Sequence, residues 1–315
     1  MTDSQPLRAP FPWFGGKRRV AHIVWERLGD VKYYVEPFFG GGAVLLGRPD
    51  EHKHKRILPD GTVIGTHTEI INDKDGLVAN FWRAVAAQPD DVARWADWPV
   101  TENDMLARNR WLIMRKASLP ARLSADPNYY DVQIAGWWLW GICCWPRGGW
   151  CLEAPRRMRP DVAGRGVHAS KVDACYMRSW LRRLQSRLRY AKILCGDWAR
   201  AVGSAMYVAR LRCTVSVFLD PPYCVEDRNQ NLYLEEKTHD LGRAVAAWCL
   251  QWGQHVRIAL CGYEGEYPML EPAGWGKVAW DASGWCDGTR GTANRHRERI
   301  WFSPACLAPT PEATT

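Results

Sequence analysis

The sequence predicts an α/β fold: a Rossmann-like sheet interrupted by an inserted, mainly helical domain rich in tryptophan and arginine. Three observations predict it. Short apolar runs alternate with amphipathic helical stretches at both ends of the chain, which implies a largely parallel sheet. The middle loses that rhythm and fills with Trp, Arg, Gly and Pro. Three of the apolar runs end in acids or glycines, where the carboxyl edge of an open α/β sheet holds its ligands.

The elements follow in order. Residues 1–12 are polar and Pro-rich and read as a loose arm. "KRRVAHIVWERL" carries Val20, Ile23, Val24 and Leu28 at helical spacing. "YYVEPF" reads as a short strand, and "FGGGAVLL" as a glycine turn opening a helix. "RILPDGTVIG" reads as a small hairpin with Asp60-Gly61 at its turn. "HTEIIND" is a second strand ending in acid, and "GLVANFWRAVAA" a helix closed by Pro89. Thr101 and Asp104 form a capping box before "MLARNRWLIMRKA". The stretches "IAGWWLWGICCWPRGGWC" and "EAPRRMRPDVAGRGVH" belong to the insert. Asp173 caps a basic helix, "ACYMRSWLRRLQSRLRY". "AKILCGD", "TVSVFLD", "HVRIALCGY" and "RERIWFS" are then strands, with the helix "HDLGRAVAAWCLQWG" among them. The expected division is 1–75 with 190–315 as one discontinuous domain and 76–189 as the insert.

Composition bounds the function. The 315 residues suffice for a real core, and the hydrophobic share of 47% is ordinary for a globular chain. The net charge of +8 favours polyanion partners, nucleic acid first and acidic membrane surfaces second. Nineteen tryptophans exceed what a core needs, and their rings either stack on bases or pack a Trp-rich subdomain. Eleven cysteines without a C-x-x-C and without an evident signal peptide read as reduced cytosolic thiols. Cys143, Cys144, Cys151 and His168 match no zinc spacing, so no metal is expected. The most apolar run is too short to cross a bilayer, so a cytoplasmic protein is expected.

The strand ends carry the chemistry. Gly40, Gly41 and Gly42 let the backbone turn tightly and approach a ligand, though a plain strand-to-helix turn would read the same way. Leu45 stands where a full G-x-G-x-x-G would need glycine, which argues against a pyrophosphate cradle. Asp73 is placed to accept hydrogen bonds from ribose hydroxyls. In "FLDPPYC", a strand ends on Asp220 and two prolines stop it, since proline cannot donate to the ladder. Asp220 and the Pro221 carbonyl are two acceptors that the prolines hold rigidly. Aimed at the hydrogens of a conjugated exocyclic amine, they free its lone pair. Tyr223 offers a flat face to an extruded base. The bland alternative is a buried acid ending a strand beside a Pro-Pro turn.

The ordered set "WFGGK" (13–17), "VEPFFGGGAVLL" (35–46), "IINDKD" (70–75), "CGDW" (195–198) and "LDPPY" (219–223) resembles the Dam-like class of DNA adenine-N6 methyltransferases. The order matches too, with an insert before D-P-P-Y. The resemblance implies S-adenosylmethionine as cofactor and double-stranded DNA as partner, with no membrane. It implies that Trp13 and Lys17, with Gly15 and Gly16 between them, contact the cofactor. Glu36, Pro37, Phe38, Phe39, Gly40, Gly41 and Gly42 wrap its methionine end, and Asp73 holds its ribose. Asp197 and Trp198 line its adenine. Asp220, Pro221, Pro222 and Tyr223 are the catalytic set, and Asp220 also borders the cofactor. In the insert, Arg147, Arg156, Arg157, Arg159 and Arg165 are candidate phosphate contacts. A solvated basic surface is the alternative for each of them, as it is for Arg178, Arg182, Arg183 and Arg187 on the basic helix. The loop at 287–299 is a second basic segment. Methylation of cytosine N4, a non-catalytic DNA-binding protein on the same fold, and an RNA or small-molecule methyltransferase are the competing readings. A restriction enzyme as partner is left open, and a monomer or weak dimer is expected.

Overall fold

In chain order, a turn of 3-10 helix at Lys17–Arg19 precedes α1 (Ala21–Leu28), β1 (Tyr33–Glu36) and α2 (Ala43–Leu46). The hairpin strands β2 (Lys55–Ile57) and β3 (Val63–Gly65) come next, then β4 (Thr68–Asp73). Among the described residues, six α-helices follow without a strand: α3 (Gly76–Ala87), α4 (Pro89–Ala96), α5 (Glu102–Lys116), α6 (Leu119–Ala125), α7 (Val132–Cys144) and α8 (Ala174–Leu188). The chain returns through β5 (Ala191–Cys195), α9 (Trp198–Arg210), β6 (Val215–Leu219), α10 (Leu232–Trp252), β7 (Arg257–Tyr263), β8 (Gly276–Ala279) and β9 (Glu298–Phe302). This computed structural model describes residues 6–13, 15–49, 55–60, 63–65, 67–145, 150–152, 164–169, 172–210, 213–223, 232–280 and 295–309.

Seven strands form one sheet in the order β5-β4-β1-β6-β7-β9-β8, and β2 pairs with β3 apart from it. β6 runs parallel to β1 and to β7, whereas β9 runs antiparallel to β7 and β8. This is the strand order of the Rossmann-like S-adenosylmethionine-dependent methyltransferases, with a block of helices inserted between strands. All five residues of β6 are buried, as expected of a central parallel strand covered on both faces.

Local chemistry sets the helix starts. The Asp75 side chain accepts from Leu77 N–H at 2.9 Å and opens α3. Thr101 accepts from Asp104 N–H at 3.1 Å and opens α5, as the capping box predicts. Asp131 caps α7 through Ile134 N–H, and Asp173 caps α8 through Tyr176 N–H at 2.7 Å. Each such cap contributes about 1 kcal/mol. Pro89 closes α3 and begins α4, where its missing N–H costs nothing.

The residue contacts divide the chain into two compact units. The first comprises residues 1–16, 39–47 and 71–200. Its centre is a ring cluster in which Phe11 meets Phe81 at 5.2 Å and Trp138 at 4.9 Å, with Trp82 alongside. Trp138 and Trp140 on α7 are buried, so these rings serve as core. Of the segment expected to be a loose arm, Arg8, Pro10 and Phe11 are docked. Trp180 donates to the Arg8 carbonyl, Val167 N–H to the Pro10 carbonyl, and Phe11 is buried. Apolar content at Pro10 and Phe11 outweighs the polar residues before them.

The second unit comprises residues 17–38, 48–70 and 201–315. It holds β1, β6, β7, β8 and β9. A buried ion pair sits near the start of β1: Arg48 Nη1 lies 2.8 Å from Glu69 Oε1, and Nη2 donates to the Val31 carbonyl. Arg48 also lies over the Trp25 ring, which packs on Tyr34.

The element expectations stand with a few differences. The hairpin forms as expected, and of residues 58–62 between β2 and β3, Gly61 and Thr62 lie outside the described residues. Edge strand β8 was not anticipated; its "GKVA" has one small and one charged residue where a strand pattern needs apolar ones. Helix α9 was likewise not anticipated.

Candidate functional site

In the first unit, three chain segments meet after β4, β5 and the glycine turn. Phe39 N–H donates to the Asn72 carbonyl at 2.9 Å, and Gly40 N–H to Asp73 Oδ2 at 2.9 Å. Gly196 N–H donates to the Asp73 carbonyl, and Asn72 Nδ2 returns a bond to the Gly196 carbonyl at 3.0 Å. Asp73 Oδ1 also accepts from Asp75 N–H. Burial pushes the Asp73 carboxyl up to about 6, against the pull of the two backbone N–H groups. Each Asp73 oxygen thus accepts one backbone hydrogen bond and has a lone pair to spare.

Two glycines here are required by space and by backbone angle. At Gly40, φ is +48° and an added Cβ would fall 2.3 Å from Trp13 Nε1. At Gly42, φ is +63° and a Cβ would fall 2.4 Å from the Phe39 ring. The Trp13 indole therefore rests on the bare backbone of the turn, while 38% of the residue stays exposed. Trp82 Nε1 donates to the Gly40 carbonyl from below. Gly15 takes a left-handed φ of +70°, which turns the chain between Trp13 and Lys17.

Asp197 and Trp198 sit differently. Asp197 is exposed, and its carboxylate accepts from Ala199 N–H at 2.9 Å at the start of α9. That bond gives Asp197 a helix-capping task at the position where an adenine contact was expected. Trp198 is half-buried as the first residue of the same helix.

In the second unit, Lys17 and the D-P-P-Y segment, distant in sequence, come together. Lys17 is buried, and its Nζ lies 3.0 Å from Asp220 Oδ2. Tyr223 donates its hydroxyl to Asp220 Oδ1 at 2.9 Å. Lys17 Nζ is also 5.2 Å from the centre of the Tyr223 ring, and that ring meets Tyr263 edge-on at 4.7 Å. Pro221 is buried and Pro222 exposed. Because Leu219 pairs with Leu260, Asp220 stands level with Cys261, two residues before the end of β7.

A fourth group belongs here that the sequence reading missed. Glu298, the first residue of β9, pairs in register with Tyr263 and is buried. Its Oε2 lies 3.6 Å from Lys17 Nζ. Burial alone would lower the Lys17 pKa, but Asp220, with Cys261 and Glu298, holds it above the usual lysine value. Burial and the Asp220 charge push the Tyr223 hydroxyl well up, and burial raises Glu298. The cluster is therefore a buried lysinium between two carboxyl groups, one of which also holds a neutral tyrosine.

Glu36 and Phe38 complete the predicted set in this unit. Glu36 is buried and accepts from the Tyr34 hydroxyl at 2.8 Å. Pro37 and Phe38 follow it after β1. Of the arginines, Arg147, Arg156, Arg157 and Arg159 lie outside the described residues, as do 287–294 of the basic loop. Arg165 is half-buried and donates to the Trp145 carbonyl. On α8, Arg182 holds Asp90 through two bonds at 2.8 and 2.9 Å, and Arg187 is buried against the Leu45 carbonyl, so neither is a merely solvated charge. His168 bonds the Ala96 carbonyl and Cys143 the Pro10 carbonyl. Among the described residues no helix is long and apolar enough to cross a membrane.

No protein-family model matches the chain, and no curated protein matches it at a significant level.

Proposed function

We propose that this protein is a DNA methyltransferase of the Dam-like kind, which moves a methyl group to N6 of an adenine extruded from duplex DNA. The observation that carries the reading is the 3.0 Å pair of Lys17 and Asp220. Two motifs of the resemblance, remote in sequence, supply its halves. The strand order of the sheet supports the same class of chemistry.

The residues present fit S-adenosylmethionine. The turn at Gly40–Gly42 has no Cβ to hold a ligand away from its backbone, and Asp73 keeps acceptor capacity for ribose hydroxyls. Trp13 offers a half-open ring beside that turn. Phe39 shapes it, and Glu36, Pro37 and Phe38 lead the chain into it. Gly15 and Gly16 let the chain pass from Trp13 to Lys17. Bound there, the cofactor supplies an electrophilic methyl group on a sulfonium.

The protein's own contribution is to make a poor nucleophile competent. An exocyclic amine conjugated to its ring gains nucleophilicity when acceptors draw its hydrogens and free the lone pair. Asp220 is one acceptor and the Pro221 carbonyl the other. Pro222 stiffens the backbone between them and Tyr223. Tyr223 also orients the carboxylate through its hydroxyl and presents its ring to the base. Lys17 holds the Asp220 carboxylate in place through their 3.0 Å pair. The helical insert, with Arg147, Arg156, Arg157, Arg159 and Arg165 among its basic residues, is the part assigned to DNA contact.

The test is transfer of labelled methyl from the cofactor to mixed-sequence duplex DNA, followed by digestion to nucleosides and mass analysis. Label in N6-methyladenine is the expected result, and Asp220→Ala should lower the rate by ~100-fold or more while DNA affinity stays near normal. N4-methylcytosine would correct the base. Transfer to RNA alone, or to nothing, would overturn the reading.

A further inference from the structure

S-adenosylmethionine has its ribose in the middle. The sulfonium arm leaves one end of the sugar and the adenine leaves the other. Segments of the first unit are joined in a matching row. Gly40 N–H bonds to the Asp73 carboxylate at 2.9 Å, and Gly196 N–H bonds to the Asp73 carbonyl at 3.1 Å. Asp73 is therefore central, with the glycine turn on one side and the end of β5 on the other. A ribose at Asp73 and a methionine end at the turn leave the end of β5 for the adenine.

Asp197, expected at the adenine, is spent on capping α9. The polar side chain that returns to the strand end is Arg200. Its Nη1 lies 3.5 Å from the Cys195 carbonyl, and a Cβ added to Gly196 would fall 3.1 Å from the same nitrogen. The guanidinium thus rests beside bare backbone. Arg200 is exposed, and among the described residues no carboxylate pairs with it. Its place in the helix is unfavourable. With Asp197 as the cap, Arg200 is the third residue of α9, where the positive helix end favours an acid and opposes a cation. A local rule broken with no ion pair in return points to a task outside the helix.

We propose that Arg200 grips the adenine of the cofactor by laying its guanidinium against the face of the ring. A guanidinium is planar, weakly hydrated and suited to stacking on aromatic faces, which an ammonium is not. Gly196 permits this by placing no side chain between the strand end and the guanidinium. The proposal rests on the S-adenosylmethionine reading above and adds to it the residue that selects the base.

Calorimetric titration at neutral pH with adenosine and with S-adenosylhomocysteine tests it. Arg200→Ala should weaken both by ~3–10-fold, and Arg200→Lys should recover less than half of that loss. The melting midpoint of the ligand-free Arg200→Ala variant should not fall, because the arginine is unfavourable where it stands; an arginine with only a structural role would lower it. In proton–nitrogen NMR, the Arg200 Nε–Hε signal, assigned by its loss in Arg200→Ala, should move upfield as adenosine binds, as a proton held over an aromatic face does. Unchanged affinities in Arg200→Ala, full recovery in Arg200→Lys, or a signal that stays in place with adenosine bound overturns this proposal alone. Wild-type protein that binds neither ligand overturns the cofactor reading together with it.

Discussion

A single residue, Asp73, shows how burial is turned into a pH response. Its carboxyl is pushed up to about 6 by burial, so it is largely ionised at neutral pH and largely protonated at 5. On the reading proposed above, Asp73 accepts ribose hydroxyls, and its ionised form does so best. Cofactor affinity should therefore be full above the folded value and fall by up to ~10-fold per pH unit below it. The sign for stability is the opposite. The folded chain binds this proton more tightly than the unfolded one, so the residue's cost to stability grows as pH rises toward 6 and is constant above. Calorimetric titration with S-adenosylmethionine across this range checks the first statement. Asp73→Asn should weaken binding at neutral pH and abolish its acid limb; an unchanged limb would place the effect elsewhere. Residues such as Asp73, Asp220 and the glycines were legible in the sequence because each ends a strand beside a turn-forming neighbour. Glu298 was not. In "RHRERI" it looks like one more solvated charge, and only pairing with β7 buries it.

At the scale of elements, the caps were legible because they are local: Thr101 with Asp104 and Asp173 with Tyr176 lie within one turn of each other. What joins distant elements was not. Arg48 follows α2 and Glu69 lies in β4, and neither position looks unusual among its charged neighbours. Their 2.8 Å pair is buried to 1% and 0% side-chain exposure, and without Glu69 the Arg48 guanidinium keeps Asp30 and the Val31 carbonyl but loses its buried carboxylate. Glu69→Ala should destabilise the protein by ~1–3 kcal/mol, read as a lowered denaturation midpoint in urea. Replacement of the exposed Asp91, paired with Arg94 on the surface of α4, should cost at most ~0.5 kcal/mol. Equal effects of the two would contradict the role given to burial. The edge strand β8 escaped notice for a related reason. Its residues are mostly exposed, so no alternation of apolar and polar positions marks it.

For the whole molecule, the alternation of strands and helices and the break in it sufficed to predict an interrupted Rossmann-like sheet. The order of its strands was not derivable from alternation, because it depends on which edges pair. The excess of positive charge, +8, acts at this scale too. If the molecule binds duplex DNA through phosphates, log affinity should fall linearly with log salt, losing ~10³-fold or more between 50 and 200 mM for a contact with several phosphates. Asp220→Ala should show the same slope as wild type, since it alters the chemistry and no phosphate contact. A slope near zero in both would remove nucleic acid as the partner.

The docking of the first residues has a consequence for how the chain is made. Pro10 and Arg8 accept bonds from Val167 and Trp180, and Phe11 packs against Trp138. The segment that carries Trp13 is synthesised well before α8, yet its resting place does not exist until α8 has been made. At ~5–20 residues per second, it waits on the order of ten seconds or more with Phe11 and Trp13 uncovered. The glycine turn is completed late for the same reason, because the segment that carries Trp13 docks only once α7 and α8 have been made. Biosynthesis thus leaves the turn without its indole cover until α8 has emerged.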